Sequence, residues 1–311
     1  QLNIVFGILL AFLSNYIIGS IDLGATEWRW MFGVEAFPAA AFFLLLFGNP
    51  RSPRWLMTKG KNEEARQTLV SLGEPQVDLE MQQIQESIDL AHHMTKEPFF
   101  CKKYSKPILL AFLIAAFNQL SGINALLYYS ARIFGMAGAS GTSALLQSVI
   151  VGATNLVVTI AAMAIIDHFG RKKLMLVGSI GYIVSLSSAA WAFHYEVGSV
   201  VLPSFLLFIA AHAFGQGAVI WVFISEIFPN RVRAKGQALG CFTHWFMCAV
   251  ISWTFPMLVG KADAPGANQA GARVFAFYAG MMVLQLLFVI FMMPETKGVP
   301  LEEIQKKMGI E

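Results

Sequence analysis

The sequence predicts an all-α protein that crosses a membrane several times. Hydrophobic residues make up 56% of the 311 residues and charged residues only 13%, whereas a soluble domain carries about 25% charged residues. The charges are clumped and leave long apolar runs between them, and a helix needs roughly 20 such residues to span a bilayer. A large soluble helical protein is the alternative, but its helices would show polar stripes that these runs lack.

The apolar runs predict two helices, a polar segment and six further helices. The second helix is the short one, because its run at 36–50 reaches membrane length only if it begins near Trp30 and includes Glu35. The polar segment holds two short amphipathic helices at 62–72 and 77–92. The predicted spans are 1–21, 31–48, 107–132, 143–166, 173–194, 201–228, 236–259 and 273–293.

Glycine and proline set two of the boundaries between these elements. The run at 133–166 holds one span, because Gly135, Gly138 and Gly141 mark a loop before it. The two amphipathic helices of the polar segment are separated by a Gly-Glu-Pro turn at 73–75.

Positive charge predicts the orientation of the chain. Eighteen of the 22 Lys and Arg residues lie in the segments 51–106, 171–173, 231–235 and 297–307. By the positive-inside rule these segments face the cytoplasm, so both chain ends are expected on that side. The alternate loops hold only Arg29, Arg132, Lys261 and Arg273.

The cysteines and the start of the chain each carry one further observation. Three cysteines show neither a disulfide pattern nor metal spacing, so no metal or cofactor is expected. The chain starts without methionine, inside an apolar segment. We expect further residues before it, although removal of an N-terminal segment would give the same start.

The most informative stretch is 117–129, which carries amides and a glycine inside an uncharged span. The amides belong to Asn118, Gln119 and Asn124, and the glycine is Gly122. A polar side chain without a partner costs free energy in a bilayer, so such a cluster is expected to face a water-filled cavity or a ligand. Amides offer donors and acceptors without charge, which suits a neutral polyol.

Five motifs occur in order along the chain and resemble the sugar porter family of the major facilitator superfamily. The resemblance extends from Gln1 to Ile304, and two further segments, 28–31 and 252–257, look closest to bacterial pentose and hexose proton symporters. The motifs are Ser-Pro-Arg-Trp-Leu at 52–56, Gln-Leu-Ser-Gly-Ile-Asn at 119–124, Asp-His-Phe-Gly-Arg-Lys at 167–172, the segment 225–236, and Pro-Glu-Thr-Lys-Gly at 294–298.

This resemblance implies a partial major facilitator fold, with eight of twelve transmembrane helices, corresponding to helices 5–12. It divides the chain into four parts. Residues 1–50 are the last two helices of the N-terminal bundle, and 51–106 are a cytoplasmic linker of intracellular helices. Residues 107–293 are the six-helix C-terminal bundle, and 294–311 are a cytoplasmic tail.

The resemblance also implies a function without covalent chemistry. We expect secondary active transport of a pentose or hexose by alternating access, as a monomer in the bacterial cell membrane, with no catalytic residue, cofactor or nucleic-acid partner. A co-transported proton is expected, but the acid that couples it in relatives lies on a first helix that this chain lacks. Glu35 is the only acid predicted in the membrane interior, so a uniporter stays open. A non-transporting sugar sensor and a membrane enzyme acting on lipid-linked sugars are further alternatives.

The resemblance assigns ten residues to the sugar site. For Asn155 the alternative is a plain helix–helix hydrogen bond, and for the tryptophans it is the interfacial belt. Asn118 stands where the family usually has glutamine, and His244 where relatives carry glutamine or asparagine. The ten residues are Gln1, Asn118, Gln119, Asn124, Tyr128, Asn155, Gly217, Trp221, His244 and Trp245.

Six further residues are assigned to gating. Tyr129 is expected near the extracellular gate. At the cytoplasmic end, Glu226 is expected to pair with Arg171, because a lone acid beside the membrane needs a partner. A second pair of Arg233 with Asp167 and a contribution from Arg54 complete the expected latch; the alternative is a simple positive-inside anchor.

Overall fold

The structure is a computed structural model that describes residues 2–94, 98–261 and 264–310, without the side chains of 90–94, 165–167, 301, 302 and 307. These residues form sixteen α-helices. They are α1 Leu2–Ile21, α2 Glu27–Gly33, α3 Ala36–Leu46, α4 Pro53–Thr58, α5 Asn62–Ser71, α6 Val77–Met94, α7 Ser105–Leu120, α8 Ile123–Tyr128, α9 Ser130–Met136, α10 Gly141–Phe169, α11 Arg171–His194, α12 Gly198–Phe214, α13 Gln216–Glu226, α14 Arg233–Val259, α15 Ala267–Phe291 and α16 Leu301–Met308.

Among the described residues, eight helical segments are long and apolar enough to cross a membrane, which confirms the eight predicted spans. Three of them are interrupted. The second comprises α2 and α3 with Glu35 exposed between them, the third runs through α7 into α8, and the sixth comprises α12 and α13. The interruption at Gly215 was not predicted, nor was α16 within the expected tail.

The chain divides into two compact units. One unit contains residues 1–28 and 99–311, and the other contains residues 29–98. The four-part division expected from the resemblance stays a prediction.

The larger unit is built around α11, which packs on α12 and α15. Close packing needs small residues at the crossing points, because lipid chains give no hydrophobic drive between helices. A Cβ atom added to Gly181 would lie 2.7 Å from Cβ of Ala211 on α12. The first helix, α1, packs on α10 in the same way, since a Cβ atom on Gly152 would lie 2.9 Å from the ring of Phe12.

The smaller unit contains α4, α5 and α6, which pack on one another around a small apolar cluster. Arg54 on α4 donates a hydrogen bond to Ser87 Oγ on α6 at 2.7 Å. The cluster consists of Leu56, Met57, Ala65 and Ile88. Arg54 therefore connects helices inside this unit, and its expected role in a latch stays a prediction.

The break between α7 and α8 depends on Gly122. Its φ of +84° lies in the left-handed region, and a Cβ atom there would lie 2.5 Å from the ring of Tyr278. Only glycine combines that backbone conformation with such a close approach. Ser121 satisfies the freed backbone groups, because its hydroxyl donates to the Asn118 carbonyl at 2.6 Å and accepts from the Ile123 N–H at 3.3 Å.

The break between α12 and α13 depends on a close contact of two glycines. A Cβ atom on Gly178 of α11 would lie 2.9 Å from the Cα atom of Gly215, and 3.0 Å from the carbonyl oxygen of Ala211. The Gly215 N–H still donates to that carbonyl at 3.0 Å. Neither position has room for a side chain, so the break lies directly against α11.

We expect Gly122→Ala to destabilise the protein by about 2–4 kcal/mol, because left-handed strain and the clash with Tyr278 add together. Gly138 is the matched control: its φ is +91°, but nothing lies within 4 Å of an added Cβ atom. Gly138→Ala should therefore cost only about 1 kcal/mol of backbone strain. Thermal unfolding of the purified variants measures both, and equal losses would contradict the proposed clash.

Candidate functional site

The amides on either side of the Gly122 break converge on α14. Gln119 is fully buried and its Nε2 atom lies 3.2 Å from Nε2 of His244. Asn124 donates from Nδ2 to Oε1 of Gln119 at 3.1 Å, and Gln119 Nε2 lies 3.3 Å from Oδ1 of Asn118. The left-handed turn at Gly122 is what brings Asn124 back towards Gln119. Four of the expected site residues thus form one hydrogen-bonded cluster.

The cluster is electrically neutral in this arrangement. An amide NH₂ group can only donate, so the His244 nitrogen that faces Gln119 acts as an acceptor and carries no proton. Carboxamides and an unprotonated imidazole can both donate to and accept from hydroxyl groups. The cluster is therefore suited to an uncharged polar ligand rather than to an ion.

A thiol completes the cluster, and the sequence analysis missed it. Cys248 is buried, and its Sγ atom lies 2.7 Å from Nδ2 of Asn124 and 3.9 Å from the hydroxyl of Tyr128. It follows His244 by four residues, so both point from the same face of α14. That spacing was the available signal, but cysteine had been interpreted only as a possible disulfide or metal ligand.

Aromatic rings border the cluster. The ring of Trp221 on α13 lies 5.1 Å from that of His244, and the ring of Trp245 lies 5.2 Å from it, nearly perpendicular. Trp245 and Tyr128 are each 59% exposed in the described chain. An indole face can stack on the C–H face of a sugar ring. These rings therefore offer apolar surface beside the hydrogen-bonding groups.

Of the remaining expected site residues, the structure describes Gly217 and Asn155 but not Gln1. Gly217 lies on α13 one turn before Trp221, so the two share a face. Asn155 is buried in α10 and accepts a hydrogen bond from Thr159 of its own helix at 3.5 Å. That contact lies within one helix, so both the sugar role of Asn155 and the alternative of a helix–helix hydrogen bond stay predictions. Gln1 lies outside the described residues.

Tyr129 fixes the junction of α8 and α9 to α14. Its hydroxyl donates to the carbonyl oxygen of Ser252 at 2.8 Å, and its ring stacks on Phe255 with centroids 5.3 Å apart. A gating residue needs such a bond in one state and its loss in the other. The role of Tyr129 as a gate stays a prediction.

An ion pair lies at the predicted cytoplasmic end of the larger unit. Nη2 of Arg171 lies 2.9 Å from Oε1 of Glu226, and both side chains are largely buried. The other oxygen of Glu226 accepts from the hydroxyl of Thr296 at 2.6 Å. These contacts connect the start of α11, the end of α13 and the segment after α15. Their release during transport stays a prediction.

Glu295 caps the start of α11, which the sequence analysis did not foresee. A Cβ atom on Gly170, whose φ is +86°, would lie 2.7 Å from Oε2 of Glu295. Burial acts to raise the pKa of this carboxyl group, but four backbone N–H donors outweigh it and hold the pKa below its ordinary value. The donors are Arg171 at 2.9 Å, Lys172 at 3.1 Å, and Thr296 and Lys297 at 3.0 Å.

Of the second expected pair, Arg233 with Asp167, the structure describes only the arginine side chain. Arg233 donates from Nε to the carbonyl oxygen of Phe228 at 3.4 Å. The side chain of Asp167 lies outside the described residues. In the part of the chain that the structure describes, no group of three or more His, Cys, Asp or Glu residues could hold a metal ion.

Two of the membrane-spanning helices are broken beside buried polar groups, and in secondary transporters such interrupted helices line the substrate site. The sequence model of one protein family, described as Sugar (and other) transporter, matches residues 1–308. The chain belongs to this family of multi-pass membrane proteins.

Known relatives agree in sequence and in fold. The chain is 38% identical to the D-xylose-proton symporter of Escherichia coli K12, over 98% of this chain and 63% of that protein. It is 34% identical to the glucose facilitated diffusion protein of Zymomonas mobilis, over 98% and 66%. The inward-open structure of the xylose transporter XylE from E. coli matches with a TM-score of 0.82 and 34% identity, over 99% and 64%. The chain thus spans less than two thirds of these relatives.

We expect Glu295→Gln to lower the stability near pH 7 by about 1–2 kcal/mol, because the carboxamide offers the four N–H donors one acceptor oxygen and no negative charge at this partly exposed position. Because the folded pKa is depressed, the contribution of Glu295 is present above the unfolded value of about 4.3 and is lost as the pH falls through the folded pKa. Thermal unfolding between pH 7 and pH 3 should therefore show the two proteins converging in acid. Glu63→Gln, at an exposed acid of α5, is the control and should stay parallel to the wild type.

Proposed function

We propose that this protein moves a monosaccharide, a pentose or a hexose, across the bacterial cytoplasmic membrane by alternating access, together with a proton. The observation that supports it best is the neutral cluster of Gln119, Asn124 and His244 at the break of a membrane-spanning helix. The E. coli relative, named a D-xylose-proton symporter, supports the same substrate class and the coupled ion.

The chemistry of the cluster explains a preference for sugars. Each carboxamide offers donors and acceptors together, so it can hold two neighbouring hydroxyl groups. A site built from such groups rejects analogues that lack a hydroxyl, because its own buried polar atoms then lose their partners. Trp221 and Trp245 supply apolar faces for the sugar ring. The protein works as a monomer within the lipid bilayer.

The latch contributes to the conformational cycle. Arg171 and Glu226 connect α11 with α13 in this state, and their separation in the opposite state would let α13 move. An ion pair at the membrane surface suits such a role, because water can solvate both charges after separation. Arg54, Asp167 and Arg233 complete this set of cytoplasmic charges.

Facilitated diffusion is the second candidate. One relative is named a glucose facilitated diffusion protein, and the cluster described here contains amides, an imidazole and a thiol but no carboxylate. Such a site can bind sugar without a proton. The two candidates differ only in whether a proton gradient drives accumulation.

Transport in reconstituted vesicles tests both candidates. We expect radiolabelled D-xylose, L-arabinose or D-glucose to exchange with unlabelled sugar, and an acid-outside pH gradient to drive accumulation above the external concentration. Exchange without accumulation would favour facilitated diffusion. The absence of exchange for all three sugars would contradict the proposed function.

We expect Trp245→Ala to weaken sugar binding about tenfold, or about 1.4 kcal/mol, with little change in thermal stability. The reason is that Trp245 is 59% exposed and borders the cluster. Trp253→Ala is the matched control, because Trp253 is also exposed on α14, two turns further along. Titration calorimetry measures the affinities. A loss of thermal stability with unchanged affinity would make Trp245 a packing residue.

A further inference from the structure

Two polar contacts flank the break at Gly215, and both end on α11. Before the break, the ring nitrogen Nδ1 of His212 lies 2.5 Å from the hydroxyl of Tyr182. After the break, Gln216 donates from Nε2 to Oε1 of Gln285 on α15, and Gln285 donates from Nε2 to the hydroxyl of Ser179 at 2.8 Å. We call this set of five residues the break clamp.

The break clamp is assembled on one face of α11. Ser179 and Tyr182 are three residues apart, so they are neighbours on the helix surface. Gly178, which lies against Gly215, precedes them directly. The backbone contact and the two hydrogen-bonded contacts therefore meet at the same point of α11, and they hold the end of α12 and the start of α13 separately.

The break clamp lies directly behind two residues of the proposed sugar site. A Cβ atom on Gly217 would lie 3.1 Å from Cδ2 of the His212 ring, so the imidazole lies against the backbone of Gly217. Trp221 follows one turn later and lies 5.1 Å from the ring of His244. A shift of the start of α13 would therefore move Trp221 relative to His244.

The composition of the clamp is poorly explained by stability alone. Gln216 and Gln285 are fully buried, and Oε1 of Gln216 has no hydrogen-bond partner among the described residues. A buried acceptor without a partner costs free energy, and a pair of leucines would fill the same space without that cost. Hydrogen bonds are directional where apolar contacts are not. The pair therefore fixes a geometry that apolar packing would leave free.

We propose that His212, Gln216 and Gln285 are positioning residues for sugar binding, which act by holding the end of α12 against Tyr182 and the start of α13 against Ser179. They need not touch the sugar. These three residues affect sugar binding through the positions of Gly217 and Trp221. The expected effect on sugar binding rests on the proposed function. The fixing of the start of α13 can be measured without sugar.

The experiment compares two double variants. Gln216→Leu with Gln285→Leu removes the part of the break clamp after Gly215 and replaces both partners by apolar groups of similar volume, which is nearly neutral for stability. Ser188→Ala with Ser204→Ala is the control, since Ser204 donates to Ser188 at 2.9 Å and connects α12 to α11 far from the break. Sugar uptake and amide hydrogen exchange are measured on both.

We expect the clamp variant to raise the KM for sugar about tenfold and to keep the rate at saturating sugar, because sugar binding is weakened while the transport step is kept. We expect amide exchange in α13 to accelerate, because the helix start opens locally. The control should change neither quantity. An unchanged KM in an active clamp variant, or an equal rise in the control, would overturn the proposal.

The hydrogen-exchange measurement separates this inference from the proposed function. If wild-type protein moves no sugar, the function fails, yet unchanged exchange in α13 would still overturn the clamp on its own. If the double leucine variant does not fold, Tyr182→Phe is measured by the same criteria. Failure of both variants to fold would make the clamp a requirement of folding and would also overturn the proposal.

Discussion

Backbone groups in hydrocarbon must find partners inside the protein, and this constraint governs where the helices of this chain can break. Each unpaired N–H or C=O group in lipid costs several kcal/mol. The break at Gly122 meets the constraint with the hydroxyl of Ser121, which serves one freed carbonyl and one freed N–H. The break at Gly215 meets it by lying against α11, where Gly178 leaves no room for lipid or side chains. Polar side chains gather at both breaks because those are the protected places.

The polar atoms of the cluster already bind one another. Gln119 bonds to Asn124 and His244, and Asn124 also contacts Cys248. Under the proposed function, a sugar that enters would replace these bonds with its own hydroxyl groups, so the net gain would be a difference between similar hydrogen bonds, each contributing about 0.5–1.5 kcal/mol. Specificity then comes from how completely the new bonds satisfy the cluster. A small net gain of this kind would let the ligand leave readily, as the proposed transport requires.

Much of the fold could be predicted from the sequence, because long apolar runs in a membrane leave few alternatives. The interior location of the amides around Gly122 was also predictable, because polar side chains within a charge-free membrane span need partners inside the protein. The break at Gly215 was not, because a lone glycine costs a helix only about 1 kcal/mol and the partner that decides the matter is Gly178, 37 positions away. The capping role of Glu295 was not predicted for the same reason, because two of its N–H donors, Arg171 and Lys172, lie far from it in the sequence. Cys248 was missed because its signal, the four-residue spacing from His244, counts only once His244 is known to face the cluster.

The helix α13 is fixed by an ion pair at one end and by neutral amides at the other, and this difference follows from the depth of each end in the membrane. At the membrane surface its last residue, Glu226, pairs with Arg171, where water and ions lower the cost of charge. In the interior its first residue, Gln216, bonds to the neutral Gln285, where a charge would need several kcal/mol of compensation. Eleven residues of helix make a rod about 16 Å long, with Trp221 at its centre. Both contacts therefore fix the position of Trp221, whose ring lies 5.1 Å from that of His244 beside the cluster.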